Sequence, residues 1–287
     1  MIHHRDIVID RTKVFYREAG APHKPALVLL HGFPASSFMF RELMLRLEDD
    51  FHLVAPDYPG FGHSDAPPPD AFEYSFERLT DFVQKLTERL ELQRYGLYMQ
   101  DFGGPVGFRL AVRAPAKVTF LVAQNANAYD EGLPDAFWAP ARALWRDPSP
   151  ENFARIRSLA MSDEALAWNY THGTRDASLV NPDSWVLQRA LLARPGNKEA
   201  MAALLHDYRT NPPLYARWQA YFRQHQPPTL VVWGKNDVIF PEAGAHPFQR
   251  DLRNAELHLL DTGHFALEDH ADTIAAHIRR FHQALPG

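Results

Sequence analysis

Six apolar runs of strand length recur along this chain, and their pattern is typical of strands buried on both faces of a parallel sheet. Between them lie helical periods, of which residues 75–92 give the clearest apolar stripe. Alternating strands and helices predict an α/β fold with a mostly parallel sheet flanked by helices. The six runs are residues 26–30, 52–57, 95–99, 118–123, 229–234 and 256–261, preceded by a predicted hairpin at 7–10 and 13–19.

The alternation stops near residue 127 and resumes near 228. The intervening stretch contains five of the six Trp and half of the ten Tyr, and Pro-containing breaks divide it into several helices. It is either an insertion or a second independent domain, and the return of the sheet pattern favours an insertion. We therefore predict a core at 1–126 and 228–287, with a helical cap at 127–227 over the carboxyl edge of the sheet.

Asp101 stands where the third of these runs ends. After Phe102 come Gly103 and Gly104, and then a predicted helix. A nucleophile elbow needs this arrangement, because its tight turn tolerates only small residues beside the nucleophile. Serine is the usual nucleophile, and here an aspartate occupies its position. An aspartate can equally cap a helix, so this segment alone leaves both interpretations open.

Two later segments favour catalysis. Asp237 follows the next-to-last run and His264 follows the last run, so both are predicted at the same sheet edge as Asp101. The chain order nucleophile, acid, histidine is the one found with nucleophile elbows. Asp237 alone would suit an Asx turn and His264 an ordinary loop. That all three follow successive strands predicts a catalytic triad.

The segment HGFP at 31–34 predicts an oxyanion hole. Its Phe33 N–H and the N–H of Phe102 would donate to a developing negative charge. The chain has no cysteine, which excludes thiolate chemistry and Cys-ligated metals. The histidines lack metal-ligand spacing with other donors, so we expect neither a metal site nor a cofactor.

The segments HGFP, DYPGFGHSD, QDFGG and TGHFALED resemble the epoxide hydrolase and haloalkane dehalogenase branch of the α/β-hydrolase superfamily. The resemblance implies an α/β-hydrolase fold with an inserted cap. It also implies that Asp101 is the nucleophile, completed by His264 and Asp237. A carboxylate that attacks an sp³ carbon forms an ester, and the histidine then activates water against that ester.

An epoxide needs a donor to its leaving oxygen, and tyrosine hydroxyls suit this task because they stay protonated at neutral pH. The segment LLHDYRTNPPLYARW resembles a cap segment of epoxide hydrolases and places Tyr208 at the ring-opening tyrosine. Tyr170 is predicted as the second donor, with Tyr215 and His172 as further pocket candidates. Each cap tyrosine has the alternative role of packing at the interface.

A halide leaving group needs N–H donors instead. Phe102 and Phe33 offer no side-chain donor, and Trp138 early in the cap would be a lone one. Epoxide hydrolysis, giving diols through an ester on Asp101, is therefore the leading hypothesis and haloalkane dehalogenation the alternative. A non-catalytic ligand-binding protein of the same fold is a further alternative, which the complete triad disfavours.

The expected partners are a small apolar electrophile and water. A net charge of −5 and a pI near 6.3 argue against nucleic acid and anionic membranes as partners. The first residues carry no apolar signal core, and a cytoplasmic location is expected. The chain is expected to be a monomer or homodimer.

Overall fold

The apolar runs form one eight-stranded sheet in the computed structural model, which describes residues 1–285. The strand order is β1-β2-β4-β3-β5-β6-β7-β8. Strand β2 pairs antiparallel with β1 and β4, and every later pair is parallel. The predicted N-terminal hairpin and mostly parallel sheet are confirmed. The strands are β1 His3–Ile9, β2 Thr12–Ala19, β3 Ala26–Leu30, β4 His52–Pro56, β5 Tyr95–Gln100, β6 Val118–Gln124, β7 Thr229–Gly234 and β8 Glu256–Leu260.

The helices lie between these strands and in the long segment between β6 and β7. The predicted stripe of residues 75–92 forms a helix that starts at the Ser75 N-cap, whose side chain accepts from the N–H of Arg78. The helices are α1 Arg41–Leu47, α2 Phe76–Arg89, α3 Gly103–Arg113, α4 Asp135–Arg146, α5 Pro150–Met161, α6 Asp163–Thr171, α7 Asp183–Leu192, α8 Asn197–Asp207, α9 Tyr215–His225, α10 Phe248–Asp251 and α11 Leu267–Gln283.

The two faces of the sheet bury separate cores. In β3, Leu27 and Leu29 belong to one core, while Val28 and Leu30 belong to the other, because successive side chains of a strand point to opposite faces. Helices α1 and α11 pack together on the first side, and α2 and α3 pack together on the second. This double burial explains the continuous apolar runs in the sequence.

Between β6 and β7 the described chain contains helices and no strand. Helices α4, α5, α6 and α8 pack against one another. Helix α9 differs, because its Trp218 packs against Phe108 of α3 with ring centroids 5.3 Å apart. It packs on α3, and the cap boundary at residue 227 stays a prediction. None of the helices within residues 1–285 is long and apolar enough to cross a membrane.

Candidate active site

Asp101 lies in a strained turn between β5 and α3. Its φ of 49° is in the left-handed region, which non-glycine residues rarely adopt. The turn brings the backbone of Gly103 against Leu30, so that a Cβ at Gly103 would overlap the Leu30 carbonyl oxygen. Only glycine fits there, which explains the glycine two positions after Asp101. Strain of this kind is concentrated at functional sites.

Backbone N–H groups point at the Asp101 carboxylate. The Phe33 N–H donates to Oδ1 over 2.6 Å, and the Phe102 N–H also lowers the pKa of the carboxyl. Burial raises the pKa of Asp101 to about 6, although the charge of His264 and these two N–H groups oppose the rise. The carboxylate is therefore mostly ionised at neutral pH, and one of its oxygens lies in the predicted oxyanion hole.

His264 is oriented by Asp237. Its Nδ1 lies 2.7 Å from Oδ2 of Asp237, and its Nε2 lies 3.7 Å from Oδ2 of Asp101. Burial lowers the pKa of His264, but the two carboxylates outweigh burial and the net pKa is raised. The structure thus brings the three predicted triad residues together, with the histidine between the two carboxylates.

Asp237 has two further partners. Asn125, directly after β6, donates to Oδ2 from Nδ2 over 2.8 Å, and the Ile239 N–H donates to Oδ1 over 2.8 Å. Asn125 itself has a φ of 45° and accepts the Gly234 N–H. The sequence reasoning missed Asn125, and its position at a strand end beside the triad is the signal that could have identified it.

An apolar cavity of about 510 Å³ opens above Asp101. Of the side chains that line it, only those of Asp101, Glu164 and Asn169 carry a carboxylate or an amide, and none is cationic. The cavity size is typical of sites for small molecules. The other lining residues are Phe33, Phe102, Phe137, Trp138, Pro140, Ala141, Ile156, Leu159, Ala160, Ala165, Trp168, Leu205 and Ile239.

Tyr208 packs behind the rings of Trp138 and Phe102, which line this cavity, and is not itself part of the lining. It is fully buried, and its ring packs against Trp138 and Phe102, with centroids 4.7 and 6.0 Å away. Its hydroxyl has no hydrogen-bond partner within residues 1–285. Burial raises the pKa of Tyr208 well above its usual value, and Tyr215 and the charge of Asp101 raise it further. The Tyr208 hydroxyl therefore stays protonated and lies close enough to Asp101 to be affected by its charge.

The segment after Tyr208 is anchored to the core. Arg109 of α3 donates to Oδ1 of Asn211 over 2.7 Å and to Oγ1 of Thr210 over 3.2 Å. Tyr215, a predicted pocket candidate, accepts a hydrogen bond from Nδ2 of Asn127 over 3.1 Å. It does not line the cavity, and it influences the site as a neighbour of Tyr208.

The structure does not bring Tyr170 to the cavity. Its ring stacks on Phe265 at 4.0 Å, and its hydroxyl donates to the Pro34 carbonyl over 2.9 Å. His172 is exposed and stacks on Trp168 at 4.4 Å, also outside the cavity lining. Side-chain direction explains the difference, because α6 turns Tyr170 toward the core, whereas His172 follows the end of α6 and is exposed to solvent.

Trp138 does line the cavity, as predicted, but its N–H is engaged. Nε1 donates to the Ile239 carbonyl over 2.9 Å. An indole N–H carries a single hydrogen and is a donor only. It therefore has no second hydrogen to offer to a leaving group.

A match to a known protein family agrees with this fold and this arrangement of residues. Residues 25–271 match the model of the alpha/beta hydrolase fold family. The chain belongs to the α/β-hydrolase family. An uncharacterised hydrolase of Saccharomyces cerevisiae is 41% identical to it over 277 residues, which cover 96% of this chain and 95% of the yeast protein.

Further similarities confirm the resemblance to the epoxide hydrolase and haloalkane dehalogenase branch. Haloalkane dehalogenase 2 of Mycobacterium tuberculosis is 29% identical over 275 residues, covering 94% of this hydrolase and 91% of the dehalogenase. The solved structure of the epoxide hydrolase CorEH superposes with a TM-score of 0.80 over 100% of both chains, at 19% identity. At that identity the likeness concerns the fold, and it confirms the predicted α/β-hydrolase fold.

Proposed function

We propose that this hydrolase converts small apolar epoxides into diols through an ester formed on Asp101. The position of the Asp101 carboxylate carries the proposal. Oδ1 lies in the oxyanion hole, while Oδ2 faces His264 at the base of an apolar cavity. A carboxylate in this position suits attack on an sp³ carbon, because the product is an ordinary ester.

In the first step, Oδ2 of Asp101 attacks an epoxide carbon and the ring C–O bond breaks. The electron pair moves to the ring oxygen, which takes a proton from Tyr208. Burial raises the pKa of both Tyr208 and Tyr58, and the Asp101 charge raises it further. The Tyr58 hydroxyl already donates to the His31 carbonyl over 3.1 Å, whereas the Tyr208 hydroxyl, a neighbour of Tyr215, has no hydrogen-bond partner among residues 1–285. Tyr208 is therefore the donor we assign.

In the second step, water attacks Cγ of the Asp101 ester and gives a proton to Nε2 of His264. The N–H groups of Phe33 and Phe102 stabilise the oxyanion. Collapse breaks the bond from Cγ to the diol oxygen, which takes the proton from His264. The proton left on Asp101 returns to the Tyr208 phenolate, so that one epoxide and one water give one diol.

Ester formation itself prepares His264 for the second step. The charge of Asp101 helps to raise the pKa of His264 in the free enzyme. The ester carries no charge, so the pKa of His264 falls once the substrate is attached. His264 is then the neutral base that water activation requires.

Haloalkane dehalogenation is less well supported. The Trp138 N–H donates to Ile239, and Phe33 and Phe102 carry no side-chain donor. Trp168, the other indole of the cavity lining, is 38% exposed, so a halide bound there would remain in contact with water. Neither indole of the cavity lining therefore offers a departing halide a buried N–H, and the half-buried amide of Asn169, which already donates to the Ala165 carbonyl, is the remaining side-chain donor of the lining.

Product analysis tests the reaction class. We expect incubation with styrene oxide to yield diol, and incubation with 1-bromobutane to release little bromide. The Asp101→Asn variant is the matched control, because it keeps the side-chain shape and removes the attacking charge. Efficient bromide release without epoxide turnover would reverse the assignment, and no turnover of either compound would favour a ligand-binding role.

Trapping the ester tests the two steps. His264→Gln should still open styrene oxide but fail to hydrolyse the ester, so intact-protein mass spectrometry should show the mass of one substrate added. Peptide mapping should place that mass within residues 95–109, on Asp101. In a single turnover in ¹⁸O-water, the intact enzyme should retain label in the Asp101 carboxylate. Label confined to the diol would instead indicate direct attack by water.

A further inference from the structure

Gln100, the last residue of β5, contacts the catalytic base. Its side chain is fully buried, and its Nε2 lies 2.9 Å from Nε2 of His264. Asp237 is a carboxylate and can only accept, so Nδ1 of His264 carries the hydrogen and Nε2 of the neutral ring is the acceptor. The Gln100 amide therefore donates to the same lone pair that must later take a proton from water.

The other end of the Gln100 amide has no partner. Its Oε1 is buried and has no hydrogen-bond donor within residues 1–285. It lies beside Gly32, where an added Cβ would overlap both this oxygen and Oδ1 of Asp101. A buried acceptor without a donor costs free energy, and an ordered water commonly satisfies such a group. The free acceptor of Gln100 thus lies next to the carboxylate that becomes the ester.

Gln124 shows that the unpaired oxygen is particular to Gln100. The two glutamines are paired in register on the neighbouring strands β5 and β6. Oε1 of Gln124 accepts from the Tyr98 hydroxyl, and its Nε2 donates to the His264 carbonyl, both over 2.9 Å. Both ends of the Gln124 amide are hydrogen-bonded and support the loop of His264, whereas Gln100 keeps one acceptor unpaired among the described residues at the site of hydrolysis.

We infer that Gln100 is a positioning residue for the hydrolytic water. The inference rests on the proposed ester mechanism. The attacking water has two O–H bonds, of which one points to His264 and the other needs an acceptor. Oε1 of Gln100 accepts the second hydrogen, and the water replaces the Gln100 amide at Nε2 of His264. The lone pair of the water oxygen then faces Cγ of the Asp101 ester.

Gln100→Met tests this role, because methionine has similar length and offers no amide. In a rapid-quench single turnover of styrene oxide, ester formation should stay within about 3-fold of the wild-type rate, since Gln100 is not needed for the attack. Hydrolysis of the ester should slow by about 10-fold or more, the loss expected when water is misplaced. The ester should therefore accumulate, as measured by intact-protein mass spectrometry.

Gln188→Met is the matched control. Gln188 is also a buried glutamine, and its amide donates to Oγ of Ser36 over 3.3 Å, outside the lining of the cavity above Asp101. Replacing it should leave both half-reactions near their wild-type rates. If Gln100→Met slows both half-reactions equally, or leaves hydrolysis unchanged, the positioning role is wrong.

Gln100→Glu supplies a second test, because it keeps an acceptor oxygen that Gln100→Met removes. The glutamate keeps the shape and an acceptor oxygen but adds a negative charge beside His264, which raises the pKa of the histidine. Because hydrolysis needs neutral His264, the rise of its rate with pH should move upward by about one pH unit. Above that rise, hydrolysis should stay within about 3-fold of the wild-type rate, because the glutamate still accepts the second hydrogen of the water. A plateau rate as low as that of Gln100→Met would contradict the inference, and this variant decides if Gln100→Met melts below the assay temperature.

The inference and the ester mechanism fail separately. If His264→Gln accumulates no ester, the two-step mechanism fails and the role of Gln100 fails with it. If His264→Gln accumulates the ester while Gln100→Met hydrolyses it at the wild-type rate, only the role of Gln100 is overturned.

Discussion

Oδ2 of Asp101 and Nε2 of His264 lie 3.7 Å apart, and both side chains are buried. This separation is too long for a hydrogen bond, so Oδ2 keeps its lone pairs free to attack carbon. It is short enough for each charge to affect the pKa of the other residue. The pair can therefore divide the chemistry, with Asp101 acting first and His264 second.

The pH dependence of the first step follows from Asp101. In the proposed mechanism only the carboxylate attacks, and burial raises the pKa of Asp101 to about 6. The rate of ester formation should therefore be constant above this pH and fall by about 10-fold for each unit below it. Rapid-quench measurements with styrene oxide between about pH 4.5 and 8 test this. A rate that stays constant down to about pH 4 would show that Asp101 has the pKa of an exposed carboxyl.

Asp101 should also lower the stability of the fold. Its pKa is about 6 in the folded protein against 3.8 for an unperturbed aspartate. The folded state thus binds the proton more tightly, and stability from this group is lost as the pH rises through about 6. Asp101→Asn cannot ionise, so its free energy of unfolding at pH 7 should exceed that of the wild type by on the order of 1–3 kcal/mol.

Urea denaturation measures this difference. The advantage of Asp101→Asn should shrink as the pH is lowered from 7 toward 5, because the wild-type carboxyl then takes up its proton. A difference that does not change with pH would point to altered packing instead of charge burial. A less stable variant would show that the ion pair with His264 outweighs the cost of burial.

The sequence predicted that the triad residues lie close together, because their positions along the chain place them at the ends of strands of one sheet. Asp101, Asp237 and His264 each follow an apolar run, and the carboxyl ends of parallel strands meet at one sheet edge. Asn125 follows β6 in the same way, yet its role depends on a side-chain amide reaching Asp237, which no spacing rule gives. Backbone topology could be predicted from the pattern, whereas contacts between side chains of different strands could not.

The roles of the cap side chains were still harder to predict from the sequence. Tyr170 and Tyr208 are both tyrosines of the helical segment, and composition does not distinguish them. Packing distinguishes them, because Tyr170 stacks on Phe265 and donates to Pro34, whereas the Tyr208 hydroxyl has no hydrogen-bond partner in the described part of the chain. The direction of a side chain within a helical layer depends on neighbours that are distant in sequence.

Tyr208→Phe should slow ring opening. In the proposed mechanism the hydroxyl donates a proton as negative charge develops on the epoxide oxygen, so its loss should lower the rate of ester formation by about 10-fold or more. Ester hydrolysis should change little, because that step depends on His264. Single-turnover kinetics with styrene oxide separate the two rates. An unchanged rate of ester formation would remove Tyr208 from the mechanism.

Tyr170→Phe is the matched control for Tyr208→Phe. It removes a buried hydroxyl of the same kind, whose hydrogen bond goes to the Pro34 carbonyl. It should leave the rate of ester formation unchanged and lower the free energy of unfolding by about 1 kcal/mol. A drop in the rate of ester formation equal to that of Tyr208→Phe would show that the loss comes from altered packing and not from the loss of a proton donor.

The charges of the cavity predict a preference against anionic substrates. Asp101 and Glu164 are the ionisable residues of its lining, and both are acidic. An epoxide that carries a carboxylate meets repulsion from both, so kcat/KM for 4-carboxystyrene oxide should lie about 10-fold or more below that for styrene oxide. Equal kcat/KM values for the two compounds would contradict the preference.

Glu164→Gln should lower the ratio of kcat/KM for styrene oxide to kcat/KM for 4-carboxystyrene oxide, and only modestly. Glu164 is exposed, so solvent screens its charge, and we expect the ratio to change by about 2- to 5-fold at low ionic strength and less in salt. Glu151→Gln is the matched control, because Glu151 lies in the first turn of α5 as Glu164 does in α6, but outside the cavity lining. Both changes remove the same interaction with a helix N-terminus, and only one removes a charge from the cavity. If Glu151→Gln narrows the ratio as much as Glu164→Gln does, the preference arises from the overall charge of the protein and not from the cavity.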